Sequence, residues 1–379
     1  MSDFLAGRRI VVSVGPGGVG KTTSAAAVAA RAARLGKRTL VTTIDPAPRL
    51  ADALGVALTA EPAAVPDAVA SALDIAPGML HVARLDTARA FAALVQEQVT
   101  DPAMRRRIFE NPIYRQITTT LTGSQEYAAT LALYDIVRRD AFDLVVLDTP
   151  PTANALDFLE APRRLAEAIS SPAIQWFATP AGDQGGRFSL RRLRSGSALV
   201  LKRLAKFVGS QFLEDIAAFL TDFQTVLGGF LERAESVSER LRRPDVAFLL
   251  VLSPEAPAVD EALYFEQRLR ASGIRLSAFV VNRVHGRPGL SDVDELATHL
   301  RARPELRALS DTDIERVAAP LSRTAIETQQ LCDGEDREVE RLRSASPGTT
   351  LLRVPLLEEE VATLATLKRV GTYLDGDAA

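Results

Sequence analysis

Apolar residues along the chain gather into seven short runs separated by longer amphipathic stretches: RRIVVSV (8–14), RTLVTTI (38–44), MLHVARL (79–85), FDLVVLD (142–148), VAFLLVL (246–252), LSAFVVN (276–282) and LLRVP (351–355). Several are unbroken Val, Ile and Leu rather than an apolar–polar alternation, as expected of strands covered on both faces. Strands of this kind with helical stretches between them predict an α/β fold, a doubly wound and mainly parallel sheet of about seven to eight strands. The alternation breaks twice, at 86–140 and 156–243, where apolar residues recur at helical spacing, as in QFLEDIAAFLTDFQTVLGGFLERAESVSERL. These two insertions predict a helical subdomain within one domain spanning 1–379. Residues 179–197 read as a Gly/Ser/Arg-rich loop. The charged, turn-rich residues 333–349 read as a surface connection before the last strand.

Charge and cysteine content narrow the function classes. A net charge of −3 gives no global basic field, so nucleic acid is not expected as a partner. Cys332 is the single cysteine, which excludes an intramolecular disulfide and a zinc site built on paired cysteines. The start MSDFLAGRRI lacks a signal-type apolar core, and no apolar run approaches the roughly 20 residues that span a bilayer, so the expected compartment is the cytoplasm.

The first run leads straight into GPGGVGKTT (15–23), and that into the Ala-rich SAAAVAARAARLG. G-x-x-x-x-G-K-[ST] between a strand and a helix is a phosphate-binding loop. Gly15, Gly17, Gly18 and Gly20 let backbone N–H groups converge on phosphate oxygens, with Val19 and Thr23 in the same turn, and the helix N-terminus adds its dipole. Lys21 is expected to reach the β- and γ-phosphates and Thr22 to bind Mg²⁺, so ATP and Mg²⁺ are the expected ligands. Asp148, at the carboxyl end of a buried strand, is the candidate second metal-site carboxylate.

GPGGVGKTT resembles the variant loop G-K-G-G-x-G-K-T-T of the dimeric ATPases that include the arsenite-pump ATPases and the tail-anchored-protein-targeting ATPases. The resemblance extends over almost the whole chain, with motifs at 15–23, 43–55, 142–159, 278–284 and 354–361. It implies that TIDPAPRLADALG carries a switch segment in which Asp45 orients the attacking water, that Asn282 reads the adenine edge, and that the backbone around Pro355 closes over the base. In that family the first loop lysine crosses a two-fold interface to the opposite subunit's nucleotide; here the position is Pro16, which has neither charge nor N–H. Three readings follow. The subunit hydrolyses ATP weakly in its own way, it pairs with a related chain whose lysine serves its nucleotide, or another residue compensates. NPIYRQITTTLTGSQEYAATLALYDI and DTPPTANALDFLEAPRRL resemble the actinobacterial paired ATPases, which favours a heterodimer with a related subunit over a homodimer.

The switch segment has Pro48 where the family has histidine, and the segment after Asp148 has Pro150, Ala153 and Asn154 where the targeting ATPases read Ala, Gly and His. The pump's arsenite site needs several cysteines, so arsenite is not an expected ligand. His81, His285 and His299 are too scattered for a metal site. Phe207, Phe212, Phe219, Phe223, Leu227 and Phe230 fall near one helical face and read either as packed core or as a groove for an apolar client. Arg187, Arg191, Arg192, Arg194, Lys202, Arg203 and Lys206 read either as a solvated loop or as a contact for anionic lipid or an acidic protein. Two functions compete: an ATP-hydrolysing dimeric switch coupled to a helical client-binding subdomain, and a catalytically weak nucleotide-binding regulatory subunit. A DNA-organising or membrane-surface ATPase rests on fold analogy alone.

Overall fold

A computed structural model describes residues 5–45, 47–119, 134–136, 138, 140–149, 210–358 and 363–374. Each of the seven apolar runs forms a strand: β1 (Ile10–Val14), β2 (Thr39–Thr43), β4 (Leu80–Arg84), β5 (Leu144–Asp148), β6 (Val246–Leu252), β7 (Leu276–Val284) and β8 (Thr350–Pro355). An eighth, β3 (Ala63–Ala64), is too short to be legible as a pattern. The order across the sheet is β3-β4-β2-β5-β1-β6-β7-β8. Among the described strands every pairing is parallel except β3 with β4.

The unbroken apolar runs conceal a two-residue alternation, because each strand feeds two cores. Along β6, Ala247, Leu249 and Val251 join one cluster and Phe248, Leu250 and Leu252 the other. The first cluster takes in α1 (Lys21–Arg34), α2 (Arg49–Leu54), α3 (Asp67–Ala72) and α11 (Leu364–Tyr373). The second is filled from α7 (Ser210–Leu241), α8 (Ala256–Ala271) and α10 (Asp311–Ala345). Buried alanines from Ala25 to Ala33 let α1 lie close on the sheet, which keeps the loop before it near the strand ends.

Beside the sheet, α4 (Thr87–Gln98), α5 (Pro102–Glu110), α6 (Pro112–Thr119) and α7 enclose a separate apolar cluster of Phe91, Leu94, Val95, Ile108, Tyr114, Phe219 and Phe223. Phe219 and Phe223 stack with centroids 4.9 Å apart and are about 5% exposed, so these two members of the phenylalanine stripe are packed core. Phe207 and the basic cluster at 187–206 lie outside the described residues, as do the side chains of Phe212, Leu227 and Phe230. Arg107 clamps Asp222 in a bidentate pair, with Nε to Oδ2 at 3.1 Å and Nη2 to Oδ1 at 2.9 Å.

One expectation is corrected. Residues 333–345 are not a surface connection but the last turns of α10, a 35-residue helix. Val339 and Leu342 anchor those turns in the second core, and Glu338–Arg341 and Glu340–Arg343 pair at i,i+3 on the outer face. The charge density that suggests a loop is one solvated helical face. Past α8, α9 (Val293–Arg301) packs its buried Ala297 against Ile314 and Ala318 of α10.

Candidate functional site

The site lies where β1, β2 and β5 end. Register places Ser13 beside Asp148 and Thr43 beside Asp148, so residues more than a hundred positions apart meet at one strand edge. Residues 15–20 turn from β1 into α1. Gly15 (φ +149°) runs so close to β6 that a Cβ would sit 2.0 Å from the Val251 carbonyl oxygen. Gly20 (φ +95°) is the left-handed N-cap of α1, and a Cβ there would meet Asn282 Nδ2 at 2.3 Å. Ser13 Oγ donates to the Lys21 carbonyl at 3.3 Å, and Thr149 Oγ1 to the Ser13 carbonyl at 2.8 Å.

Lys21 is buried, and its Nζ donates to the Pro16 carbonyl at 2.6 Å. Burial holds its pKa below the ordinary lysine value. Asp148 acts against that shift, and Arg49 adds to it. Asp148 is 1% exposed; its Oδ2 accepts from Thr22 Oγ1 at 2.9 Å and Thr43 Oγ1 at 3.0 Å. Its Oδ1 is buried with no hydrogen-bond partner among the described residues. Burial pushes this carboxyl up to about 6, against the two threonine hydrogen bonds and Lys21. A buried carboxylate with one orphaned oxygen, beside a threonine hydroxyl at a helix start, fits a magnesium-bound phosphate group.

Asp45 follows β2. Its Oδ1 accepts from the Ala47 N–H at 2.9 Å and its Oδ2 faces Arg49 Nη1 at 3.5 Å. Its own N–H donates to Thr43 Oγ1 at 3.1 Å. The Thr43 hydroxyl therefore ties the backbone of Asp45 to the Asp148 carboxylate. A cleft of about 880 Å³ opens over this group, lined among others by Gly18, Gly20, Lys21, Thr22, Thr23, Asp45, Arg49, Asp52, Thr149 and Arg283.

The other expected residues stand further back. Gly17 is exposed, and the buried Val19 offers its carbonyl to Asn282 Nδ2 at 2.8 Å. Asn282 thus braces the loop from β7. Pro355 ends β8 on the neighbouring strand, opposite Val284. Neither Asn282 nor Pro355 lines the cleft. Pro150, Ala153 and Asn154 lie outside the described residues.

Thr43, Arg49 and Arg283 are not singled out by the sequence. Arg49 follows Pro48 within the switch segment, and Arg283 adjoins Asn282; their positions beside those motifs were the available signal. Arg283 takes φ +62° where the β7–β8 register shifts. Cys332 is buried, with its thiol 3.6 Å from the His285 carbonyl, and His285 Nδ1 lies 2.5 Å from Glu335. Among the described residues no group of three or more His, Cys, Asp or Glu could hold a metal ion by itself.

A glycine turn between a central parallel strand and a helix, closing on a buried lysine, a threonine and a strand-end aspartate, defines a phosphate-loop nucleotide-binding α/β protein. Residues 8–175 match the family model described as anion-transporting ATPase. A putative arsenical pump-driving ATPase of Aquifex aeolicus is 23% identical over 97% of this chain and 79% of its own length. An uncharacterized protein of Streptomyces coelicolor is 37% identical over 42% of this chain, and a putative arsenical pump-driving ATPase of Chlorobaculum tepidum is 32% identical over the same share. Those two alignments span 39% and 36% of the relatives' own lengths. The chain is similar to the anion-transporting ATPase family over residues 8–175. Among the described residues no helix is long and apolar enough to cross a membrane.

Proposed function

We propose that this protein is a cytoplasmic ATPase that binds Mg–ATP in the cleft above the phosphate loop and hydrolyses it, working as a dimeric switch. The observation that carries this reading is Asp148, buried with one oxygen engaged by Thr22 and Thr43 and the other without a partner among the described residues. Magnesium at Thr22, with Asp148 behind it, would neutralise charge on the β- and γ-phosphates. Gly15, Gly17, Gly18, Val19, Gly20, Thr22 and Thr23 form the phosphate cradle, and Lys21 exchanges the Pro16 carbonyl for phosphate oxygens. Asp45 orients the attacking water. Asn282, besides bracing Val19, and Pro355 border the base. Thr43 links the Asp45 backbone to Asp148, so a change in metal occupancy is felt by the switch segment.

The chain acts as one domain, 1–379, whose insertions at 86–140 and 156–243 form a helical subdomain that moves with the nucleotide state and meets a protein or lipid client. The dimer is a homodimer or a pair with a related subunit. Arsenite is not the ligand, since the chain has one cysteine and that thiol is buried. A second reading, a regulatory subunit served by a lysine-bearing paralogue, is favoured by the uncharged, buried Pro16.

Titration with a fluorescent ATP analogue, with and without magnesium, and phosphate release test both readings. Lys21→Ala should lose about 100-fold or more in affinity, as removal of a charged phosphate contact implies. Asp45→Asn should bind normally and turn over about 100-fold more slowly. Absence of magnesium-dependent binding by the unaltered chain would overturn the proposal. Turnover that arises only on mixing with the paralogue and ignores Asp45→Asn would select the regulatory subunit.

A further inference from the structure

Among the described residues three cations line the phosphate cleft, Lys21, Arg49 and Arg283, and of these Lys21 alone comes from the loop. The loop's second residue is the uncharged Pro16, whose carbonyl already holds the Lys21 ammonium. A triphosphate brings more negative charge than one buried lysine and one divalent cation neutralise, so the cleft needs a further cation near its outer end.

Arg49 is placed for that task. It is the first residue of α2, lines the cleft with Lys21 and Thr22, and lies close enough for its charge to act on the Lys21 ammonium. Its side chain is 60% exposed, and its contact with Asp45 is a long one, Nη1 to Oδ2 at 3.5 Å. A pair at that separation whose arginine stands mostly in solvent is weak and cheaply broken. Asp45 does not depend on it for position, since its other oxygen accepts from the Ala47 N–H and its backbone is tied to Thr43. A planar guanidinium held loosely by a single carboxylate will exchange it for a phosphate group with more charge and a better bidentate fit.

We propose that Arg49 is a catalytic residue of this chain, which leaves Asp45 for the terminal phosphate of bound ATP and neutralises its charge from within the same subunit. The inference rests on the Mg–ATP reading given above. In the step it serves, the water oxygen bonds to the γ-phosphorus as the bond from phosphorus to the β–γ bridging oxygen breaks. ADP leaves with that electron pair, and the water proton passes to the Asp45 carboxylate that Arg49 has vacated.

The test is the ratio of dissociation constants for magnesium adenylyl imidodiphosphate and magnesium ADP, measured by displacement of a fluorescent nucleotide from the full chain, its Arg49→Ala and Arg49→Lys variants and Lys21→Ala. Arg49→Ala should weaken the triphosphate analogue about 10-fold or more and leave ADP within about 2-fold, because only the former presents the outer phosphate. Arg49→Lys should recover part of that loss. ATP turnover by Arg49→Ala should fall about 1000-fold, the scale of a charge-stabilising arginine in phosphoryl transfer. A residue that merely held Asp45 in place would slow turnover without changing the triphosphate-to-diphosphate ratio, and an unchanged ratio overturns the assignment. If the unaltered chain binds both nucleotides and Lys21→Ala binds neither, an unchanged ratio condemns Arg49 alone. If the unaltered chain binds neither nucleotide, the ATPase reading falls with it.

Discussion

The two walls of the cleft are built differently. The phosphate loop is fixed by backbone: Gly15 pressed on Val251, Asn282 holding the Val19 carbonyl, Ser13 holding the Lys21 carbonyl. The facing segment between β2 and α2 is held by the Ala47 and Thr43 hydrogen bonds and one half-exposed ion pair, up to Leu50, which anchors α2 in the core. The first wall is rigid because it leaves no room for another arrangement, and the second can rearrange at little cost. Asp148 stands between them and accepts one hydroxyl from each, Thr22 from the loop side and Thr43 from the other. A preformed cradle facing a more loosely held wall is the arrangement that the proposed nucleotide-dependent switch needs.

The contrast can be broken first at Gly15. A Cβ 2.0 Å from a backbone oxygen cannot be relieved by turning a side chain, so Gly15→Ala should destabilise the protein by about 3 kcal/mol or more and abolish nucleotide binding. Urea denaturation with a binding titration checks this, and a variant of normal stability would show that the rigid wall yields.

Next is Asn282→Ala, which strands the Val19 carbonyl and should cost about 1–2 kcal/mol in denaturant unfolding and about 10-fold in affinity for adenine and guanine nucleotides alike. If stability holds and only the preference for adenine over guanine is lost, the amide reads the base and does not brace the loop.

The smallest effect has the opposite sign. Folding raises the Asp148 carboxyl from about 3.9 in the unfolded chain to about 6, so its ionised form burdens the native state alone. That burden is absent below about pH 4, grows as pH rises between about 4 and 6, and is complete above. In metal-free buffer Asp148→Asn should therefore unfold at a higher temperature than the parent near pH 7. The gain should be on the order of 1 kcal/mol, since the new amide has an N–H₂ to satisfy, and should vanish near pH 4. The variant should also lose magnesium-dependent binding, and stabilisation that persists at pH 4 would refute the buried-charge account.

Much of this architecture was legible from local pattern. The seven long strands follow from apolar runs, and the turn before α1 from glycines whose positive φ, as at Gly15 and Gly20, is a local backbone requirement. Residues 333–345 misled because charge density looks alike in a loop and on a solvated helix face; the buried Val339 and Leu342 distinguish them. Asn282 was placed by its resemblance, but its contact with Val19, 263 positions away, required the fold.

What the sequence by itself determined is the seven long strands, the alternation of helix and strand around them, and a glycine turn ending in Lys21 and Thr22, since backbone conformation and two-faced burial act over a few residues. Only the tertiary structure decided that Thr43 bridges Asp45 to Asp148 and that Arg49 shares the cleft with Lys21 and Thr22. Those relations depend on strand register, which is set by how whole faces of the sheet pack and leaves no mark on any short stretch of chain.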